Sequence, residues 1–340
     1  MKNNILTLLF SLFILSIVNG QIKPKETNDF YDNDTLFSLG KVTVEIAGEI
    51  ANPGPVDFSQ LPLHQEIVKE ALLNEKGDTA FVGAYRYDGY SLYDILNDRV
   101  IQKKNEKEFN PIIDLYVEVE NDKGEKVVFS WGEIYYPINR HKIIIAMQVM
   151  RIVPSKTKDL WPLPTGCKVV AATDLLTERN IYNPVKITVK SYPKSFTVTR
   201  DMEDLYSNEI KIYKKEQQLS TFTGFPSKNI PLIYHSVFYG KGRGIHGIST
   251  FNGMSVKELL WPYFSRNKSN IRQALILVVA KDGYRSVFTY SEVFNRNDFQ
   301  DFLLNDRSDD KKNGAFSIFP APDFFSDRAV KGITAIYLTE

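Results

Sequence analysis

An internal repeat constrains this chain more than any other feature of its sequence. Three blocks occur twice and in the same order: YDGYSLYDIL at 87–96 and FNGMSVKELL at 251–260, VEVENDKGEKVVFSWGEIY at 117–135 and ILVVAKDGYRSVFTYSEVF at 276–294, CKVVAATDLLTERNIYNPVKITV at 167–189 and FSIFPAPDFFSDRAVKGITAIYL at 316–338. The copies lie too far apart for a stacked solenoid, whose repeats are much shorter. They therefore predict two copies of one domain in tandem.

The boundaries follow from the blocks. We expect the first copy at 41–192 and the second at 196–340, joined by SYPKS at 191–195. Alternating runs and Gly-containing turns predict strands and hairpins, and Ser91 and Ser255 stand where short helices would begin. Aromatic residues, 13% of the chain, also favour sheet. The sequence thus predicts an α+β fold, two β-rich mixed domains, with a helix-like spacing at 62–73.

The N-terminus has the layout of a secretory signal peptide. Lys2 precedes an apolar run from Ile5 to Val18, and small residues follow before Gln21. We expect residues 1–20 to be removed, residues 21–40 to form a polar lead-in, and the protein to be periplasmic or secreted. The alternative is an uncleaved anchor, although the run is short for a membrane span.

Charge and cysteine content exclude several classes. The net charge of +1 argues against a large surface for nucleic acid or an anionic membrane, so we expect neither, and no transmembrane segment after cleavage. The single cysteine, Cys167, forms no internal disulfide, so the fold must depend on its hydrophobic core.

The first copy resembles a known family. In order it carries VTVEIAGEIANPGPVDFSQLP, YDGYSLYDIL, a hairpin with a Gly turn, and LPTGCKVVAATD. This order resembles the molybdopterin-binding oxidoreductase domain of the sulfite oxidase type, and the second copy resembles it more weakly. The resemblance implies that domain fold, with a pterin dithiolene holding molybdenum and a cysteine thiolate just upstream of the YDGYSLYDIL phrase as a further ligand.

Both copies depart from this family at the cysteine. The segments ALLNEKGDTAFVGAYR and LIYHSVFYGKGRGIHGIST, which precede the two phrases, contain none. Cys167 follows the phrase, and the second copy has Phe316 or Ala315 in its place, so we expect Cys167 to pack in the core. The alternative is that Cys167 ligates molybdenum. We therefore expect no cofactor, with molybdopterin as the alternative that the resemblance implies.

Two stretches are candidate binding sites. In YGKGRGIHG at 239–247, Lys241, Arg243 and His246 lie among four glycines and could surround a phosphate or another anion. In the first copy, Tyr85 and Arg86 could stack on and bind a planar anion. The alternatives are a flexible surface loop and an aromatic-packed strand.

Other motifs point to structure or are missing. An Asp and an Arg recur at equivalent positions in both copies and predict a structural tie: Asp174 and Arg179, Asp323 and Arg328. The four histidines show no metal-binding spacing such as H-E-x-x-H, so we expect no metal site. The chain also lacks a G-x-S-x-G elbow and a phosphate-binding P-loop.

Three functions remain open from the sequence. The first is an exported, non-redox module that binds a small anionic ligand or a partner. The second is a molybdenum-dependent oxidoreductase with atypical ligation. The third is a structural or assembly protein of the cell envelope. The missing cysteine favours the first, and a cavity with converging basic and aromatic side chains would separate it from the third.

Overall fold

A computed structural model describes residues 34–339, except for residues 139, 155, 229, 241, 243 and 307–313 and the side chain of His246. The predicted signal peptide at 1–20 and residues 21–33 of the predicted lead-in lie outside the described residues. The last part of the lead-in is paired, because Phe37–Ser38 forms a strand against Ile143–Arg151.

The elements of the first half are mostly strands. The strands are β1 (Phe37–Ser38), β2 (Glu45–Gly48), β3 (Gly54–Pro55), β4 (His64–Leu73), β5 (Thr79–Ser91), β6 (Leu115–Asn121), β7 (Lys126–Ser130), β8 (Ile143–Arg151), β9 (Lys168–Ala171) and β10 (Pro184–Ser191). The helices are α1 (Leu92–Asn97) and α2 (Trp131–Tyr135), with 3₁₀ turns at Phe58–Gln60 and Ile112–Asp114.

The second half is built in the same way. Its strands are β11 (Ile210–Lys214), β12 (Gln217–Phe222), β13 (Leu232–Gly240), β14 (Gly244–Ser255), β15 (Leu275–Ala280), β16 (Arg285–Thr289), β17 (Phe302–Asp306), β18 (Phe316–Pro320) and β19 (Ile333–Leu338). Its helices are α3 (Val256–Leu260), α4 (Lys268–Gln273) and α5 (Tyr290–Phe294), with 3₁₀ turns at Trp261–Tyr263 and Ser326–Arg328.

The strand order of one half repeats in the other. One sheet has the order β3-β2-β10-β6-β7, and its counterpart has β12-β11-β19-β15-β16. The other sheet has β4-β5-β8-β9, with β1 also on β8, and its counterpart has β13-β14-β17-β18. The neighbours are antiparallel except for β2 with β10 and β11 with β19, which are parallel. Each half therefore contributes two sheets with the same connections.

The predicted fold, α+β with two domains of the sulfite oxidase type, is wrong. The four small sheets are arranged like the blades of a four-bladed β-propeller, and strand far exceeds helix. No helix among the described residues is longer than six residues, and none is long and apolar enough to cross a membrane. Four of the five begin directly after a strand whose last residue, a Ser or Thr, caps the helix, so they close sheet ends instead of forming a layer. The stretch 62–73, with its helix-like spacing, contains strand β4.

The repeated phrase occupies the same place in both halves, where β5 leads into α1 and β14 leads into α3. The predicted N-caps are confirmed, since the Ser91 side chain accepts from the Asp94 N–H and the Ser255 side chain from the Lys257 N–H. These bonds satisfy a free N–H of each first helical turn. The phrase thus encodes a strand-to-helix junction.

The two halves share a core and exchange equivalent hydrogen bonds. The described residues from Asp34 onward form a single compact unit, and apolar residues of the two halves pack together: Val128, Tyr192, Leu275, Leu277, Val279, Val287 and Ala335. The Phe324 N–H donates to the Tyr136 carbonyl at 2.8 Å, and the Leu175 N–H donates to the Asn295 carbonyl at 2.7 Å. These bonds join equivalent positions of the repeat in reciprocal fashion, as in a twofold-symmetric dimer interface.

Candidate ligand cavity between the two halves

A cavity of about 440 Å³ opens beside these reciprocal bonds. The segments that follow α2 and α5 form its sides, together with β4 and the loops after β9 and β18. Its volume lies within the range of roughly 300–1,000 Å³ that small-molecule sites occupy. Its polar lining comes from both halves: Glu66, Glu133, Lys142, Thr173, Arg296, Asn297, Asp298 and Gln300.

The first-half wall presents an ion pair. Glu66 lies on the buried face of β4, and the Lys142 Nζ lies 2.6 Å from its Oε2. Burial raises the pKa of Glu66 above its ordinary value, although Lys142 opposes this shift. The Lys142 side chain is 39% exposed while that of Glu66 is 8% exposed, so the ammonium is the group that a ligand can reach.

The second-half wall also presents an ion pair, but here the acidic partner is the more exposed one. The Arg296 Nε lies 2.9 Å from the Asp298 Oδ1. Burial would raise the pKa of Asp298, but the bonds from Arg296 outweigh this effect and the pKa is lowered. Here the Arg296 side chain is 9% exposed and that of Asp298 is 37% exposed. The carboxylate is therefore the reachable group on this wall.

Asn297 fixes the second wall against the first half. Its side-chain Nδ2 donates to the Ala172 carbonyl at 2.7 Å, and its backbone N–H donates to the Thr173 carbonyl at 2.9 Å. Because both acceptors belong to the first half, the distance between the walls is set by hydrogen bonds as well as by packing. The cavity is therefore preformed, as ligand sites commonly are.

Behind the cavity lies a buried ion network that the sequence repeat had indicated. Arg179 contacts Glu133 at 2.8 Å and Asp174 at 2.7 Å. In the second half Arg328 contacts two carboxylates in the same manner, those of Glu292 and Asp323. The Asp–Arg pairs are thus structural ties, as the repeat predicts.

The pKa values of this network follow from burial. Burial raises the pKa of Glu133 to about 7, with Arg179 opposing and Glu292 adding to the shift. Burial likewise raises the pKa of Asp323 to about 6 against the effect of Arg328. Burial disfavours the charged form of Arg179, yet its two carboxylate partners raise its pKa overall.

The cavity is equipped for binding. No Cys, His or Ser lines it among the described residues, and Glu133 at its floor is already engaged by Arg179. The reachable ammonium of Lys142 and the reachable carboxylate of Asp298 lie on walls from different halves. The arrangement matches a small molecule that carries both a negative and a positive group.

The structure separates the two candidate site residues on β5. Tyr85 is 1% exposed, and its hydroxyl donates to the Pro162 carbonyl at 2.6 Å inside the core. Arg86 points to the other face of the strand, where its Nε lies 3.1 Å from the Asp88 Oδ1. Because successive strand residues alternate in direction, the two side chains do not converge on one ligand.

The other candidates lie outside the part of the chain that can be described. Lys241 and Arg243 are not among the described residues, and for His246 only its backbone position in β14 is described. The predicted anion site at 239–247 therefore stays a prediction.

Cys167 is packed in the first half. Its side chain is 2% exposed, and its Sγ lies 3.4 Å from both the Leu39 carbonyl and the Met147 Sδ. Burial raises the pKa of the thiol, which disfavours the thiolate that a metal requires. The residues present therefore do not fit a molybdenum–pterin group ligated by cysteine.

Sequence reasoning missed the cavity residues, because their partners are distant in the chain. Lys142 lies 76 residues from Glu66, and the Asn297 bond to Ala172 spans 125 residues. One signal was present in β4, where Glu66 and Glu70 occupy alternate positions on the same face as Val68. Charged residues on the buried face of a strand require partners and often mark a site.

Comparisons with known proteins add no assignment to this site: no protein-family model matches the chain, and no curated protein matches it.

Proposed function

We propose that this chain is a non-redox binding protein that holds a small zwitterionic molecule in the cavity between its two halves. The observation that carries the proposal is a pair of partly exposed, opposite charges that line one cavity from different halves. Lys142 would take a carboxylate of the ligand, and Asp298 would take its amine. Each wall charge keeps a buried partner, Glu66 or Arg296, that holds it in position.

Charge-assisted hydrogen bonds in a partly desolvated cavity are strong enough to give useful affinity. Each such bond contributes roughly 1.5–3 kcal/mol. Free amino acids and short peptides have the required pair of charges and fit a cavity of about 440 Å³. We also propose, from the N-terminal sequence, that the protein acts after export.

The proposal is tested by titrating the chain that begins at Gln21 with free amino acids and dipeptides, followed by calorimetry. We expect saturable binding of one molecule per chain to at least one of these probes. Lys142→Met should weaken that binding by about tenfold or more, the equivalent of one charge-assisted hydrogen bond. Ile138→Trp, at a cavity residue that is 74% exposed, should block entry without disturbing the core.

Two controls match these variants. Lys190→Met removes a similarly exposed lysine that pairs with Glu118 at 2.9 Å away from the cavity. Val100→Trp adds an indole at a position that is 62% exposed and does not line the cavity. Absence of binding to every probe, or binding that Ile138→Trp leaves unchanged, would contradict the proposal.

A further inference from the structure

Two histidines and an aspartate converge at one end of the first half. The His64 Nε2 lies 2.7 Å from the Asp94 Oδ2, and the His141 Nδ1 lies 3.3 Å from the same oxygen. The two imidazole rings are stacked, with centroids 4.1 Å apart and planes 10° apart. One ligand atom from each residue lies within 4.8 Å of the others.

Separate elements bring these residues together. His64 begins β4, Asp94 lies in the first turn of α1, and His141 precedes β8. The Ser91 hydroxyl donates to the Asp94 Oδ2 and so orients that carboxylate, in the manner of groups that support metal ligands. The three residues are far apart in sequence, which is why no metal-binding spacing predicted them.

The cluster is not arranged for serine catalysis. The Ser91 Oγ and the Asp94 Oδ2 both approach the same nitrogen of His141, at 3.2 and 3.3 Å. In a catalytic triad the serine and the acid bond to different nitrogens of the histidine. Ser91 is also fully buried as the cap of α1.

The fold does not require the cluster. In the second half, strand pairing places Leu232 at the position equivalent to His64, and the repeated phrase places Glu258 at that of Asp94. The same strand-to-helix junction forms there without two histidines. The stacked imidazoles are therefore not needed to form this junction.

We propose that His64, Asp94 and His141 bind a divalent transition-metal cation, with Zn²⁺ as the reference ion. Two imidazole nitrogens and a carboxylate oxygen are a common ligand set for such ions. Ligand atoms around tetrahedral zinc stand about 3.3 Å apart. The Asp94 Oδ2 and the His141 Nδ1 already have this spacing, at 3.3 Å. To bind one ion, the His64 Nε2 must move about 0.6 Å away from the Asp94 Oδ2, and the two stacked rings must turn out of their nearly parallel planes so that both nitrogen lone pairs point at the ion.

The geometry leaves room for a further ligand. The His141 side chain is 40% exposed, so one side of the site faces solvent. Three protein ligands with an open position are typical of zinc sites that bind or activate a small molecule. His64 lies two residues before Glu66 on the same face of β4, so the cation site adjoins the cavity. The cation site does not depend on the zwitterion proposal.

Metal binding is measured on the tag-free chain after removal of bound metal with a chelator. We expect calorimetry with Zn²⁺, and metal analysis after gel filtration, to give one ion per chain. His141→Ala and Asp94→Asn should each weaken binding by at least about 100-fold, since even the supporting groups of metal ligands matter by 10–100-fold. Co²⁺ in place of zinc should give visible absorption without a thiolate charge-transfer band.

The control variants separate this site from other binding. His235→Ala removes an exposed histidine in β13, and Cys167→Ala removes the single thiol; both should leave the affinity unchanged. His141 is partly exposed, so its variant is expected to fold, which circular dichroism checks. The proposal is overturned if the wild-type chain binds no zinc, or if folded His141→Ala and Asp94→Asn bind it as tightly.

Discussion

Paired charges inside the molecule are its main feature at the scale of single residues. Arg179 and Arg328 are fully buried, and each is held by two carboxylates. A buried arginine is tolerated because its planar guanidinium can satisfy two carboxylates at once. Removing one partner leaves an uncompensated charge in the core, which is strongly destabilising.

The raised pKa of Glu133 predicts a pH dependence. Its folded value of about 7 lies above the ordinary 4.5, so the folded state binds the proton more tightly than the unfolded state does. This contribution to stability is fully present below about pH 4.5 and is lost as the pH rises through about 7. In Glu133→Gln the side chain is always neutral, and this loss should disappear.

Urea unfolding at several pH values measures the effect. The free energy of unfolding of the variant, relative to wild type, should rise on the order of 2 kcal/mol between the two ends of that window. The slope is the readout, because Gln also changes the hydrogen bonds with Arg179 by an amount that does not depend on pH. Parallel stability profiles for the two proteins would show that Glu133 does not titrate in this window.

At the scale of secondary-structure elements, the repeated phrase places a glycine where two strands approach closely. A Cβ added to Gly89 would lie 2.2 Å from the Ile145 carbonyl oxygen on β8. A Cβ added to Gly253 would lie 2.0 Å from the Leu304 carbonyl oxygen on β17. The glycine recurs because both halves need the same close backbone approach before the helix begins.

Gly89→Ala and Gly253→Ala should each destabilise the protein. The atoms in the way belong to the backbone, so the strands must separate, at a cost of about 1–3 kcal/mol or more. Gly224→Ala is the matched control, because nothing lies within 4 Å of its added Cβ. Chemical denaturation checks the prediction, and equal midpoints for Gly89→Ala and Gly224→Ala would contradict it.

At the scale of the whole molecule, the two halves are held by reciprocal contacts about a pseudo-twofold axis. Asn295 adds a bond pair of its own, since its Oδ1 accepts from the Leu176 N–H and its Nδ2 donates to the Leu176 carbonyl, each at 2.8 Å. Tyr136 at the equivalent place accepts the backbone bond from Phe324 and packs its ring edge-to-face against Phe325. The two halves thus have the same backbone arrangement but different side chains at equivalent positions. The two walls of the cavity therefore differ in their chemistry.

Asn295→Ala should loosen this interface. It leaves two buried backbone groups of Leu176 without partners, which costs about 2–4 kcal/mol in total. Asn52→Ala is the control, because Asn52 bridges the backbone of Asp98 and Val100 at an exposed site within one half. Urea unfolding followed by fluorescence and circular dichroism checks the prediction, and an equal loss in both variants would contradict a special role for the interface.

The sequence by itself determined the local features of this protein. The three repeated blocks occupy equivalent elements. The serine caps and the Asp–Arg pairs form at the positions that the sequence predicts. Each of these depends on residues within a few positions of one another, such as Ser91 with Asp94 or Asp174 with Arg179. Short-range hydrogen bonds and ion pairs can therefore be predicted from the residues alone.

Only the tertiary structure decided the fold class and the candidate sites. Residues 64–73 form a strand although their spacing suits a helix, because they pair with β5 along their whole length. This pairing turns Glu66 and Glu70 inward, where Lys142 and Lys168, 76 and 98 residues further along the chain, pair with them. The stacked histidines and the cavity walls likewise join residues far apart in sequence. Local pattern carries no information about such partners, and burial of a charge is favourable only once its partner is in place.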